Sequence, residues 1–229
     1  MKIDDSEIQT LVSYCEANLG DPHLWKTPDG YPESLALCTI DSLYSTGSHY
    51  TSVVNVIKRY KEKYPAGGTH SAEDHLWSIT EAGGARKWAE DVVQNRKPAH
   101  THPGAPLKAE IIEQAAQLML DLGIRTVPEL RRVVEENPQD NPVYHGWKKL
   151  PSQSSGVTYN YLLLLAGMQS IKPDRMVLRF LADALGKDTP ISTGDAVELL
   201  EQTAQHLHVE ARALDHIVWR AASGRELTD

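Results

Sequence analysis

The sequence predicts an all-α protein, and three observations carry that expectation. Apolar residues recur at helical spacing along most of the chain, and no stretch alternates apolar and polar residues as a half-buried strand does. Helix punctuation bounds each periodic stretch, with Ser, Thr, Asp or Asn before it and Gly after it. No internal repeat or low-complexity tract interrupts the series. The count comes to about twelve helices.

In order, Ser6 is expected to cap a first helix that reaches Asn18, with Ile8, Leu11, Val12 and Cys15 on one face and Gly20 beyond its end. The loop DPHLWKTPDGYP follows, and its Trp25 is expected to anchor the chain as it crosses between lobes. A helix from Glu33 to Ser45 carries Leu35, Leu37, Cys38, Ile40 and Leu43. The next, from His49 to Tyr60, carries Val53, Val54 and Ile57. Gly67 and Gly68 break the pattern, and Ser71 with Asp74 forms a capping box for a helix through Leu76, Trp77 and Ile79. Gly83 and Gly84 turn the chain into a short helix with Trp88, Val92 and Val93. Arg96 to Pro106, RKPAHTHPGAP, is the longest irregular stretch, expected to lie over the fold or along a nucleic acid. Its His100 and His102 flank one Thr as a metal pair would. Nothing nearby completes a set of three or four ligands, so no metal is expected.

Leu107 to Leu122 forms an amphipathic helix through Ile111, Ile112, Ala115, Leu118 and Met119, closed by Gly123. Thr126 and Glu129 make a second capping box, with Pro128 in the first turn. Asn141 and Pro142 start a helix closed by Lys148 and Lys149, and Leu150 to Gly156 has turn chemistry. The run from Val157 to Gly167 is apolar on nearly every face and belongs in the interior. Pro173 and Asp174 begin a helix with Met176, Val177, Phe180, Leu181, Ala184 and Leu185 at helical spacing, ended by Gly186. Thr193 caps Ala196 to Leu207, and a last helix runs from Glu210 through Leu214, Ile217, Val218 and Trp219.

With 229 residues, 41% of them hydrophobic, the chain can bury one substantial core or two closely packed lobes. No segment approaches the apolar length of a membrane span. MKIDDSEIQ carries acids where a signal peptide has a basic start, so the expected location is cytoplasmic, with no membrane partner. Cys15 and Cys38 read as buried free thiols. A net charge of −8 argues against an indiscriminate nucleic-acid binder. Between Asn141 and Lys187, however, six basic residues face only Asp174 and Asp183, which reads either as a basic patch or as solvated helix ends.

The stretch from Leu150 to Arg179 resembles the helix-hairpin-helix DNA glycosylases, the superfamily of endonuclease III, the adenine glycosylase and the alkylbase glycosylases. Their pattern reads roughly LPGVGRKTA, an apolar helix, then VDTHV followed two residues later by Arg. Laid on without a gap, its Leu-Pro falls on Leu150 and Pro151, its catalytic Asp on Asp174 and its Arg on Arg179. The resemblance implies a two-lobed helical bundle with a helix-hairpin-helix motif: a single domain, 1–229, with a central lobe over 30–150, the hairpin and catalytic-Asp helix over 143–186, and a second lobe from 1–29 and 187–229. It also implies a monofunctional DNA glycosylase that hydrolyses the N-glycosidic bond of a damaged or modified base in duplex DNA, as in base excision repair. The two hairpin glycines are Ser152 and Ser154 here, and the lysine that bifunctional members use as nucleophile falls at Gly156, so no Schiff base can form. Two cysteines cannot hold the iron-sulfur cluster of some members, so no cofactor is expected.

Asp174 is the catalytic candidate, since a carboxylate beside the sugar stabilises an oxocarbenium-like state. Its competing role is an N-cap, and one carboxylate can do both. The resemblance assigns DNA contact to Lys148, Lys149, Ser152, Ser154, Gly156 and Arg175. The base pocket is expected to draw on Asp41, Tyr44, His49 and Tyr159. The alternative is a catalytically silent module that binds DNA or a protein. A remoter class, a hydrolase built on His70, His75, His100 and His102, requires bound metal.

Overall fold

The computed structural model describes residues 3–227, and among them all the named elements are helical, joined by turns and one isolated antiparallel bridge. No helix among the described residues is long and apolar enough to cross a membrane. The chain divides into two compact units, one built from residues up to Asp29 together with those from Met168 onward, the other from Gly30–Gly167.

The terminal unit holds α1 (Asp5–Asn18), α10 (Arg175–Leu185), α11 (Thr193–His206) and α12 (Ala211–Ala222), numbered in chain order. Its core takes Leu11 and Cys15 from α1, Val177 and Leu181 from α10, Leu199 and Leu200 from α11, and Leu214, Ile217 and Val218 from α12. The segment 143–186, grouped together from sequence, is therefore split, because the apolar stripe of α10 packs with both chain ends. Two caps also shift by one or two residues. Asp4, not Ser6, caps α1, its carboxylate accepting from the Ser6 and Glu7 amides while Glu7 returns to the Asp4 amide. A carboxylate carries full charge at the positive end of the helix, so it outcompetes the hydroxyl. Ser192, not Thr193, caps α11. Trp25 donates its indole N–H to Leu19 O at 2.9 Å and packs against this core, so it fastens the end of α1 within its own unit.

The central unit holds α2 (Leu35–Tyr44), α3 (Tyr50–Lys63), α4 (Ala72–Glu81), the single turn α5 (Ala85–Lys87), α6 (Lys108–Asp121), α7 (Val127–Val134), α8 (Pro142–Lys149) and α9 (Val157–Leu165). Every residue of α2 is buried, with α3, α4, α6 and α9 packed around it. Two of its buried polar side chains bond within the helix: Thr39 donates to Leu35 O and Ser42 to Thr39 O. Lys108, at the start of α6, is 3% exposed and donates its ammonium to Leu43 O, Tyr44 O and Thr46 O at the end of α2. The short helix expected at Trp88 takes π form from Trp88 to Val92.

The Arg96–Pro106 stretch is closed upon itself. Ala99 N–H meets Pro106 O at 2.9 Å and Lys108 N–H meets Lys97 O at 2.9 Å, which leaves His100 and His102 exposed on the loop between. Among the described residues no group of three or more His, Cys, Asp or Glu side chains is placed to hold a metal.

His75 is buried on α4 between the rings of Tyr60 and Trp88, and its Nε2 makes no hydrogen bond. Burial, followed by the nearby His70 charge, pushes its pKa down to about 3 from an ordinary 6.5. The fold therefore holds the neutral ring. Its contribution to stability is complete above pH 6.5 and is lost as pH falls from there toward 3, at up to about 1.4 kcal/mol per pH unit. Urea titrations of the wild type and of His75→Leu across that range are expected to converge or cross as the pH falls. Parallel pH profiles would show that His75 is not the titrating group.

Candidate active site

Asp174 starts α10. Pro173 fixes its own φ, and the Asp174 amide donates back across it to Lys172 O at 2.6 Å, a tight three-residue turn. The carboxylate then caps the helix: Oδ1 accepts from the Met176 amide at 2.8 Å and the Val177 amide at 3.2 Å. Among the described residues Oδ2 has no hydrogen-bond partner, and Asp174 is half-buried. One carboxylate oxygen is thus committed to the cap and the other is not. Arg175, next along, is exposed. Arg179, placed by the resemblance on the family's Arg, donates to Ala222 O and so caps the last turn of α12.

The turn that carries Asp174 is fixed from α12. Asp215 lies at 4% exposure, and its Oδ1 accepts the Lys172 amide at 2.9 Å. Burial raises its carboxyl pKa to about 8; the amide bond and the Lys172 charge work against the rise, and the Asp174 charge adds to it. At neutral pH Asp215 is therefore mainly protonated. Nothing in the sequence reading singled it out, yet a signal was there. Asp215 sits beside Leu214 and three residues before Val218, on the stripe that should be apolar, where an acid needs a reason.

The Leu150–Gly156 turn belongs to the central unit, between α8 and α9. A buried chain of hydrogen bonds fixes it: Trp147 Nε1 donates to Thr158 Oγ1 at 2.9 Å, Thr158 donates to Gln153 Oε1, and Gln153 Nε2 donates to Pro151 O at 3.0 Å. Ser152 holds a φ of 64°, a left-handed backbone for which glycine is the ordinary residue. Gly156 has a φ of 76° and caps α9 without any side chain. Ser152, Ser154 and Lys149 are exposed. Lys148 is more occupied, its ammonium 2.9 Å from the Tyr144 hydroxyl and 4.7 Å from that ring's centre.

Two of the four pocket residues expected from sequence are corrected. Tyr44 is 1% exposed and spends its hydroxyl on Asn95 O. Tyr159 is 0% exposed, with its hydroxyl given to Pro138 O and accepting from Asn141. Each ring fills core volume, so neither lines an open pocket. His49 is exposed at the start of α3. Asp41 is buried on α2, where Oδ2 accepts the Tyr31 hydroxyl at 2.9 Å and Tyr161 bonds to the same carboxylate. Burial first and the Asp41 charge second hold both phenols protonated, well above their ordinary range. Neither tyrosine carries a sequence signal for this contact, since Tyr31 lies in a loop and Tyr161 in a helix that is apolar on nearly every face.

Neither the curated proteins nor the solved structures contain a match to this chain. A family model described as "Domain of unknown function (DUF8548)" matches residues 9–223, which takes in α10, the Leu150–Gly156 turn and both units, and the chain therefore belongs to that family.

Proposed function

We propose that this protein is a monofunctional DNA N-glycosylase, hydrolysing the bond between a damaged or modified base and its sugar, with Asp174 as the catalytic carboxylate. The observation that carries the reading is the divided use of that side chain. Oδ1 is locked by two amides at the head of α10 while Oδ2 is left without a hydrogen bond. A carboxylate so held loses little freedom on meeting a substrate, and its open oxygen suits both stabilising an oxocarbenium-like sugar and orienting an attacking water. Two further features support it. The α8–turn–α9 element is two helices joined by a tight turn, as the proposed motif requires, and Ser152 holds a left-handed backbone that the glycosylases' hairpin glycine would take with ease. Gly156 offers no amine, so the product is an abasic site in an intact strand. On this reading Lys149 and Arg175, both exposed, contribute phosphate contacts.

Incubation with duplexes carrying a panel of damaged bases, followed by hot alkali, tests the proposal. Strand breaks are expected with the wild type, and Asp174→Asn is expected to lose about 1,000-fold in rate, since the missing charge acts on the transition state. Asn also serves as an N-cap, so the variant keeps its fold and the loss reports chemistry. No base release across the panel overturns the enzymatic reading. What favours the second reading, a silent DNA- or protein-binding module, is the commitment of Lys148 to Tyr144 together with the acidic net charge. That module binds undamaged duplex with salt-dependent affinity and releases nothing.

A further inference from the structure

We infer that Asp215 is a positioning residue for Asp174, holding the capping turn from α12 through the Lys172 amide. The inference rests on the reading of Asp174 as the catalytic carboxylate where it concerns rate, and on geometry alone where it concerns position. The connection is short and continuous. Asp215 Oδ1 accepts the Lys172 amide at 2.9 Å, Lys172 O accepts the Asp174 amide at 2.6 Å, and Asp174 Oδ1 accepts the amides of Met176 and Val177. Pro173 offers no amide and a fixed φ, so Lys172 supplies the amide by which the turn ahead of Asp174 is held.

An N-cap does not need this arrangement. Asp4 caps α1 and Ser192 caps α11 from exposed positions, with side-chain partners no more than three residues away. At Asp174 the fold instead places a carboxyl group at 4% exposure, on a helix that arrives from far along the chain, against one backbone N–H. Burying an acid is unfavourable, and a plain apolar contact would hold the turn loosely without that penalty. A hydrogen bond fixes the turn within the fraction of an ångström that a reacting carboxylate needs. The charged groups that act on Asp215 are Lys172 and Asp174, and burial above all raises its pKa to about 8, so it is mainly protonated at neutral pH. The neutral acid still accepts through its carbonyl oxygen, and it adds no second negative charge beside the reacting one.

The test compares Asp215→Asn and Asp215→Ala with the wild type by amide hydrogen exchange and by base release from whichever damaged duplex the wild type acts on. Asn keeps an acceptor oxygen, so exchange and kcat are expected within about twofold of the wild type. Ala is expected to speed exchange of the Lys172, Met176 and Val177 amides about tenfold while leaving the Ile217 and Val218 amides protected. Its kcat is expected to fall about 100-fold with KM unchanged. Should Ala prevent folding, the wild type and Asp215→Asn still decide. In the wild type the Lys172, Met176 and Val177 amide signals should share one inflection near pH 8 that Asn removes. Unaltered Met176 and Val177 exchange in the Ala variant, or an inflection confined to Lys172, overturns the positioning role. A wild type that releases no base sinks the glycosylase reading alone, because the amide measurements stand without any substrate.

Discussion

Replacing Gly30 by alanine is expected to remove about 3–5 kcal/mol of stability, enough to leave the Gly30–Gly167 unit largely unfolded at 37 °C. Two separate effects combine. Gly30 has a φ of 62°, and an L-residue there costs about 1–2 kcal/mol. The added methyl would also press on the backbone of Leu165, coming within 2.9 Å of its carbonyl carbon and nearer still to the oxygen. That carbonyl cannot swing away, because it ends α9 and accepts the Tyr31 amide at 2.7 Å. The adjoining carbonyl, Ala166 O, is held by the Arg131 guanidinium. Gly47→Ala is the control: its φ is 56°, and nothing lies within 4 Å of the added methyl. Urea midpoints are expected to show a small loss at Gly47 and a large one at Gly30. Equal losses would mean that backbone conformation, not the contact with Leu165, sets the cost.

Lys108→Met is expected to destabilise the central unit by about 3–5 kcal/mol. The methionine stem matches the volume of the lysine stem, so the loss isolates the ammonium. That group donates to Leu43 O at 2.9 Å and Tyr44 O at 3.0 Å, and to Thr46 O as well. These are carbonyls that the end of α2 leaves without partners, and a cation there also meets the negative end of the helix. Without it, buried carbonyls lose both water and donor, and each unsatisfied acceptor costs about 1–3 kcal/mol. Lys97 reaches the neighbouring Gly47 O and Ser48 from a half-buried position, so Lys97→Met is expected to cost about 1 kcal/mol. Denaturant unfolding of the two variants compares them directly, and a Lys108→Met variant as stable as Lys97→Met would remove the capping role.

Much of the helical framework could be read from spacing and punctuation, since those patterns are local. Ser71 with Asp74, Asn141 before Pro142, and Asp174 before α10 are caps in the fold as they are in the sequence. Cys15 and Cys38 are buried free thiols, and burial pushes the Cys15 pKa up to about 12, as befits an inert one. What escaped notice depends on contacts distant in sequence. Lys108 reads as a solvated residue at a helix start, although Ile111, Ile112 and Ala115 repeat from it at three, four and seven residues and place it on the buried stripe. Tyr44 and Tyr159 have the chemistry of a pocket wall, and only packing reveals that their hydroxyls are committed inward. For the candidate site the capping place of Asp174 was legible from Pro173 and Asp174 ahead of an apolar helical period. The support from Asp215 was not, because residue 215 meets residue 172 only when α12 packs on α10.

The composition of the terminal unit from both ends of the chain constrains how the molecule is made. As the polypeptide leaves the ribosome, α1 emerges well before the helices it packs on, with Ile8, Leu11 and Cys15 turned toward neighbours that do not yet exist. Its partners α10 and α11 are translated only after the whole Gly30–Gly167 segment, whose own helices follow one another without interruption. The Gly30–Gly167 segment is thus expected to fold during synthesis, while α1 keeps its apolar face without partners until α10 and α11 have been made.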